Sequence, residues 1–341
     1  MKKRGAILWF PALSALLTAG ASGSPAAADA VCHVVSDPLR RLLAFASSPF
    51  PFPLFEIALL ALPALPVFAA IRGDPAKWFR RTVGTGAVFV SLFLLLSVLP
   101  ARRSAPPDAP ISDAEMTAFA SYLAERANGE ERLLPETGGE GTPPARLGTV
   151  ALSDAVTEAL RESGLCPAEP YRVKATLFPR LLRRLGLLGY HVFWTGEAVI
   201  DPGAPAYTLP FTAAHEAAHQ AGIVSEGEAS YAAYLALIRS SEPALRYAGW
   251  TGALDAVLPA LPDGERRAVV KRLSPRVRAD LSCFDAVLAT GAGAQTVAEG
   301  NAAAIRLRGG AGARSYDLFP RLACRLYLFG LRDQADAPAI Y

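Results

Sequence analysis

The chain has 341 residues, 52% of them hydrophobic, and its 34 basic and 31 acidic side chains leave a net charge of +3. So even a balance excludes the basic footprint that nucleic-acid binding requires, and a mean hydropathy of +0.26 is high for a chain surrounded only by water. The length is ample for one folded core beside a membrane-inserted part.

The hydrophobicity is concentrated in three N-terminal stretches. Ala6 to Ala21 follows Lys2, Lys3 and Arg4; Phe52 to Ile71 is apolar apart from Glu56; and Gly84 to Leu99 contains an unbroken run of apolar residues and one serine from Val88 to Leu96. A hydrocarbon layer about 30 Å thick takes about 20 helical residues, so the second stretch is long enough to span and the others are near the lower limit. Spans at about 6–21, 52–71 and 84–99 are predicted, the second kinked by Pro63 and Pro66. Basic residues set the orientation. Lys2, Lys3 and Arg4 hold the N-terminus in the cytoplasm, and Arg72, Lys77, Arg80 and Arg81 hold the loop between the second and third stretches there, outweighing Arg102 and Arg103. The alternative for the first stretch is a cleaved signal sequence with its processing region at 25–30. Either reading puts residues 22–51, and everything after about residue 100, on the extracytoplasmic side. Cys32, Cys166, Cys283 and Cys324 then face an oxidising compartment, where one or two disulfides or buried free thiols are equally expected.

A Pro/Ala-rich linker at 101–110 separates residues 1–100 from a domain at 111–341. Ser112-x-x-Glu115 has the spacing of a capping box for a helix to Ala127, and 129–146, with Gly138-Gly139 and Pro143-Pro144, reads as an exposed loop. Helical patterns follow at 153–162, 173–187, 243–259, 264–272, 275–290, 294–307 and 316–330. Strand signals are confined to 190–194 and 197–200, joined through Thr195-Gly196.

Between these strands and residue 243 lies His215-Glu216-Ala217-Ala218-His219, which holds two of the four histidines. At about 3.6 residues per turn, His215 and His219 project from one helix face and can share one tetrahedral Zn²⁺, while Glu216, about 100° round the helix, can reach a water in the open position. The pattern therefore encodes hydrolysis, with Glu216 as general base. The flanking Phe211, Ala213, Ala214, Ala217, Ala218 and Ala221 make the segment apolar, so its polar residues are expected inside, where a metal would satisfy them. Gly222 ends the helix, and Ser225 with Glu228 has capping-box spacing for a second one. An antiparallel helix pair brings Glu226 or Glu228 to the metal. The two are about 200° apart on a helix, so only one ligates, and depth along the helix favours Glu228. The strand before the metal helix is the place for an edge that binds extended peptide, where Glu197 is a candidate substrate contact. His191 reads as a packed or surface histidine. Tyr207, Tyr231 and Tyr316 are oxyanion-donor candidates for which aromatic packing is the stronger expectation, and Tyr316 is carried forward as a substrate-binding candidate.

Thr195-Gly196-Glu197-Ala198, Pro210 to Gly222 around the metal helix, and Glu226-x-Glu228-Ala229, with looser matches at Arg246-Tyr247-Ala248-Gly249 and Ser315-Tyr316, resemble a bacterial polytopic membrane family catalogued as a domain of unknown function, number thirty-eight ten. Glu226-x-x-Ala229-Ser230 is similar to the E-x-x-A/S-D segment of gluzincin zinc peptidases, and that resemblance implies Glu226 as the third ligand. The chain departs from the pattern at Ser230, where Asn or Asp is usual. The expected fold is mainly α (α+β): N-terminal transmembrane helices, then a zincin-like, largely helical catalytic domain with a small edge-strand sheet. The expected activity is zinc-dependent hydrolysis of a peptide or protein substrate, with a catalytically inactive zinc-binding sensor or scaffold as the alternative.

Overall fold

The computed structural model describes residues 6–61, 64, 71, 75–106, 110–135, 148–289, 294–307 and 317–329. The first part comprises α1 (Ala6–Ala21), α2 (Pro25–Val31), a π-helical turn (Cys32–Ser36), α3 (Asp37–Ser47), α4 (Leu54–Ala61) and α5 (Pro75–Phe93). α5 continues through a second π-helical turn, Leu94–Val98, and a 3-10 turn, Pro100–Arg102. Among the described residues, Lys77–Arg102 is the one helix long and apolar enough to cross a membrane, and the apolar part of α1, Trp9–Ala21, is shorter. Of the second expected span, α4 forms the beginning, and most of 62–70 lies outside the described residues. α1 packs along α5. Both leave large apolar side chains uncovered, Trp9, Leu13 and Leu16 on α1 and Phe79, Val88 and Val90 on α5.

Residues 22–51 are not a bare connection. Ser24 caps α2 and Pro25 occupies its first turn, where a missing N–H is harmless. α3 then wraps the far end of α5, whose π-helical turn leaves carbonyls to accept from outside the helix: Ser36 donates to the Leu95 carbonyl at 2.6 Å and Arg40 to that of Leu96 at 3.3 Å. The start of the expected linker is docked as well. Arg103 forms ion pairs with Asp37 at 2.8 Å and Asp29 at 3.4 Å.

The second part contains α6 (Asp113–Glu131), α7 (Thr149–Ser163), β1 (Val173–Ala175), α8 (Pro179–Arg184), β2 (Gly189–Val192), β3 (Glu197–Ile200), α9 (Leu209–Ala221), α10 (Glu226–Arg239), α11 (Pro243–Val257), α12 (Asp263–Arg272), α13 (Pro275–Ala289), α14 (Ala294–Leu307) and α15 (Leu318–Phe329). The Ser112 capping box forms as expected. α6 continues to Glu131, and the rest of the expected 129–146 loop lies mostly outside the described residues. The helix expected over 173–187 is instead strand β1 followed by α8. Pro179 disfavours helical geometry at Phe178, and β1 gains a parallel pairing with β3, Lys174 opposite Val199, that local helix propensity does not offset. β2 pairs antiparallel to β3, so the order is β1-β3-β2 with β2 at an edge. Cys32, Cys166 and Cys324 are free thiols, burial pushing those of Cys166 and Cys324 up to about 12; the Cys283 side chain lies outside the described set.

The two-residue period of the strands gives this small sheet two distinct faces. Gly189 and His191 look onto α9, while Tyr190, Glu197 and Lys174 look towards the chain between Ser47 and Glu56. The sheet thus lies between the metal-motif helix and the start of the second hydrophobic stretch. Gly196, at φ +65° in the β2–β3 turn, lies so close to α3 that an added Cβ would stand 2.6 Å from the Ala44 nitrogen.

Candidate metal centre

α9 is an alanine-rich helix buried on almost every side; Ala213, Ala214, Ala217, Ala218 and Ala221 let its neighbours approach closely. It stops at Gly222, where φ is +121° and the N–H bonds back to the Ala218 carbonyl at 3.1 Å. The chain reverses within three residues, and Ser225 caps α10 through the Glu228 N–H. This tight reversal carries Glu226, the first residue of α10, back beside the histidines.

His215 Nε2 and His219 Nε2 are 3.1 Å apart, and Glu226 Oε2 is 3.3 Å from each. Ligand atoms about 2.0–2.1 Å from a tetrahedral zinc stand about 3.3–3.4 Å from one another, so this triangle has the edge lengths of one face of such a site. The outer nitrogens are already committed. His219 Nδ1 donates to the Ile223 carbonyl at 2.6 Å, and since a carbonyl only accepts, the neutral ring carries its proton there and keeps the Nε2 lone pair free. His215 Nδ1 lies 3.1 Å from the Ser230 hydroxyl, which can accept in the same way. Two imidazole lone pairs and a carboxylate oxygen therefore converge on one point, an arrangement that calls for a cation. His215, His219 and Glu226 form the group that could hold a metal ion.

The electrostatics show how strongly the three groups act on one another, the histidines and Glu226 favouring opposite charges. Burial would raise the Glu226 carboxyl, but the flanking His219 and His215 overcome it and hold the group well below the usual carboxylate range. Burial would lower His219, yet Glu226 at its side leaves it raised. Glu216 is raised above the ordinary carboxylate range, chiefly by burial, against the pull of both histidines. It points beneath the edge strand: a Cβ at Gly189 would meet Glu216 Cγ and Thr212 Cγ2, each at 2.9 Å, so only glycine lets β2 cross there.

Of the expected site residues, the structure brings together His215, His219 and Glu226, with Glu216 directly after His215, about 100° round α9. Glu228 is buried but is not one of the converging ligands. Depth along the helix favoured Glu228; the reversal between Gly222 and Ser225 instead brings Glu226 Oε2 within 3.3 Å of His219 Nε2. Glu197 is completely buried and bound elsewhere, taking Lys174 Nζ at 2.6 Å and the Leu54 and Phe55 N–H groups at 2.7 and 2.9 Å. Tyr316 lies outside the described residues. Tyr207 and Tyr231 are buried. The sequence understated His191, whose ring stacks on His219 with centroids 6.2 Å apart; its strand position, two residues from Gly189 on the same face, was the available signal. Beside Ser230 and Thr212 a largely apolar pocket opens, lined also by Leu188, Tyr207, Phe211 and Phe319.

No curated protein and no solved structure matches the chain. A family model described as a protein of unknown function matches residues 34–323, from the end of the turn that leads into α3 to the middle of α15, and the chain belongs to this family, DUF3810.

Proposed function

We propose that the protein is a membrane-anchored zinc metallopeptidase whose catalytic domain faces the extracytoplasmic side. The observation that carries this reading is the 3.1–3.3 Å triangle of His215, His219 and Glu226 with the buried carboxyl of Glu216 alongside. Zinc bound by that triangle would supply the Lewis acidity that polarises a carbonyl and acidifies water. Glu216 accepts the proton of the water whose oxygen adds to the peptide carbonyl carbon, then returns a proton to the amine nitrogen as the C–N bond breaks.

Substrate placement follows from the sheet. Asp201 N–H donates to the Leu188 carbonyl, so in the antiparallel register Leu188, Tyr190 and Val192 bond inward to β3 while Gly189 and His191 turn their N–H and C=O groups to the outer edge. An extended peptide pairing with that edge runs over Glu216, and the pocket by Ser230 and Phe319 takes an apolar side chain. Three crossings, by α1, the stretch begun by α4, and α5, are supported by the basic residues at their cytoplasmic ends and by the uncovered apolar side chains of each helix.

The test is the zinc content of the purified full-length protein and its hydrolysis of a mixed peptide library, beside Glu216→Gln. We expect stoichiometric zinc in both and a turnover loss of about 10²–10⁴-fold in the variant. Absence of stoichiometric zinc in the wild type overturns the metal reading. Zinc with no hydrolysis of any peptide leaves a sensor or scaffold.

A further inference from the structure

The tip of the β2–β3 hairpin is aromatic and makes its contacts with the membrane-associated helices. Trp194 lies between Phe55 of α4, at 6.0 Å, and Phe89 of α5, at 5.2 Å, and Phe193 lies 5.8 Å from Phe93 of α5. Phe193 also packs onto the buried cluster that joins the end of α1, α2 and the π-helical turn of α5. At about 1.5 Å per residue, Phe93 stands about 18 Å along α5 from Arg81 and about 24 Å from Lys77. With those basic residues at the cytoplasmic boundary of a layer about 30 Å thick, Phe93 falls about 6–12 Å inside the opposite boundary and Phe89 about 6 Å deeper, so the hairpin tip dips into the outer half of the layer.

The metal group is close to that level. His191 precedes Phe193 by two strand residues, about 7 Å. Its ring is 6.2 Å from that of His219. α3 is fixed at the same height by the contact of Gly196 with Ala44. Its outer face presents Leu42 and Phe45, each more than 60% exposed. An amphipathic helix so placed lies in the headgroup region with that face in the acyl boundary.

We infer that the metal group is held at the bilayer surface, with α3 immersed in the interface, and that its substrates are polypeptides themselves anchored in the membrane, cut in the stretch next to the anchor. The inference rests on the peptidase reading above. The edge of β2 then receives chain that emerges from the lipid within a few residues of its anchor, and no long excursion into water is needed.

The experiment uses the full-length, zinc-loaded protein in vesicles of phosphatidylethanolamine and phosphatidylglycerol. The probes are quenched fluorescent peptides of mixed sequence attached to a palmitoyl chain through a spacer of about three or about 25 residues, spanning at most roughly 10 and 80 Å. We expect the short-spacer peptides to be cleaved at least as fast as the long-spacer ones, and Phe45→Asp with Leu42→Asp to slow the short-spacer reaction about tenfold while hydrolysis of free peptide is unchanged. Cleavage of long-spacer and free peptides without the short-spacer ones overturns the inference and leaves the peptidase reading intact. Cleavage of none overturns the peptidase reading and this inference with it. A second readout needs no activity: a nitroxide on Phe45→Cys, measured against labelled wild type, is expected to collide with oxygen more than with a water-soluble nickel complex, and the reverse order overturns the immersion of α3.

Discussion

The two faces of the three-stranded sheet each carry a cluster of buried charge, and they differ in how that charge is satisfied. On the face towards Ser47–Glu56, Lys174, Glu197 and Glu56 each have protein partners of the opposite kind. Lys174 Nζ donates to Glu197 and to the carbonyls of Ser47 and Phe52. Glu197 also takes the first N–H groups of α4, and Glu56 takes Thr176, Tyr190 and the Leu177 N–H. On the face towards α9, two imidazole nitrogens and a carboxylate oxygen converge on one another, with the outer nitrogens turned to the Ile223 carbonyl and the Ser230 hydroxyl. Acceptors facing donors make a structural tie; lone pairs brought face to face make a group that could hold a cation. The same residue types serve opposite ends on the two sides of a layer only one strand thick.

The sharpest way to break this contrast is to remove one acceptor from the α9 face. Fully liganded structural zinc sites bind with about 10–16 kcal/mol, so Glu226→Ala, which deletes one of three protein ligands, is expected to weaken zinc more than about a thousandfold in competition titrations with a chelating dye. Glu228→Ala is expected to leave zinc affinity within a few fold. Equal losses in the two variants would refute the assignment of Glu226 as ligand.

On the opposite face the expected effect is on stability and not on metal. Lys174→Met leaves Glu197 buried without its counter-charge, a change that costs about 3–5 kcal/mol in such settings. The lower end is expected, since the two α4 N–H groups remain on the carboxylate. Because those bonds tie α4 to the sheet, chemical denaturation in detergent is the measurement, with zinc affinity as the control. A variant that loses zinc but not stability would show that the two faces do not divide as described.

The halves of this contrast were unequally legible in the sequence. His215, Glu216 and His219 were readable because their spacing alone sets their geometry, and Glu226 was readable as one of two. Glu56 and Glu197 were seen as isolated acids, one in an apolar run and one in a strand, because the chain segments that tie them together lie more than 100 residues apart and no local period connects either of them, or Lys174, to its partner. β1 was hidden for a related reason: Val173–Ala175 is a strand only through β3, and the short segment Val173-Lys174-Ala175 has no alternation long enough to register. The mainly helical class was readable from the repeated 3.6-residue patterns, whereas α2 and α3 were passed over because they lie between two hydrophobic stretches that dominated the reading of that region.

The smallest effect tests how the α9 face is held, and it turns on Ser230. The zinc-peptidase segment that this stretch resembles has a longer acid or amide at this position; here the α9–α10 pair is packed tightly enough to bring the shorter serine hydroxyl to 3.1 Å from His215 Nδ1. When that hydroxyl accepts from Nδ1, it holds the His215 proton on the outer nitrogen and leaves the lone pair inward. Outer partners of metal-bound histidines are worth about 10–100-fold in metal affinity, so Ser230→Ala is expected to weaken zinc by that factor, against the thousandfold or more for Glu226→Ala. Ser230→Thr, which keeps the hydroxyl, is expected to restore most of the loss. If alanine and threonine bind zinc equally well, the hydroxyl does not orient His215, and only the packing of α9 against α10 holds the ring in place.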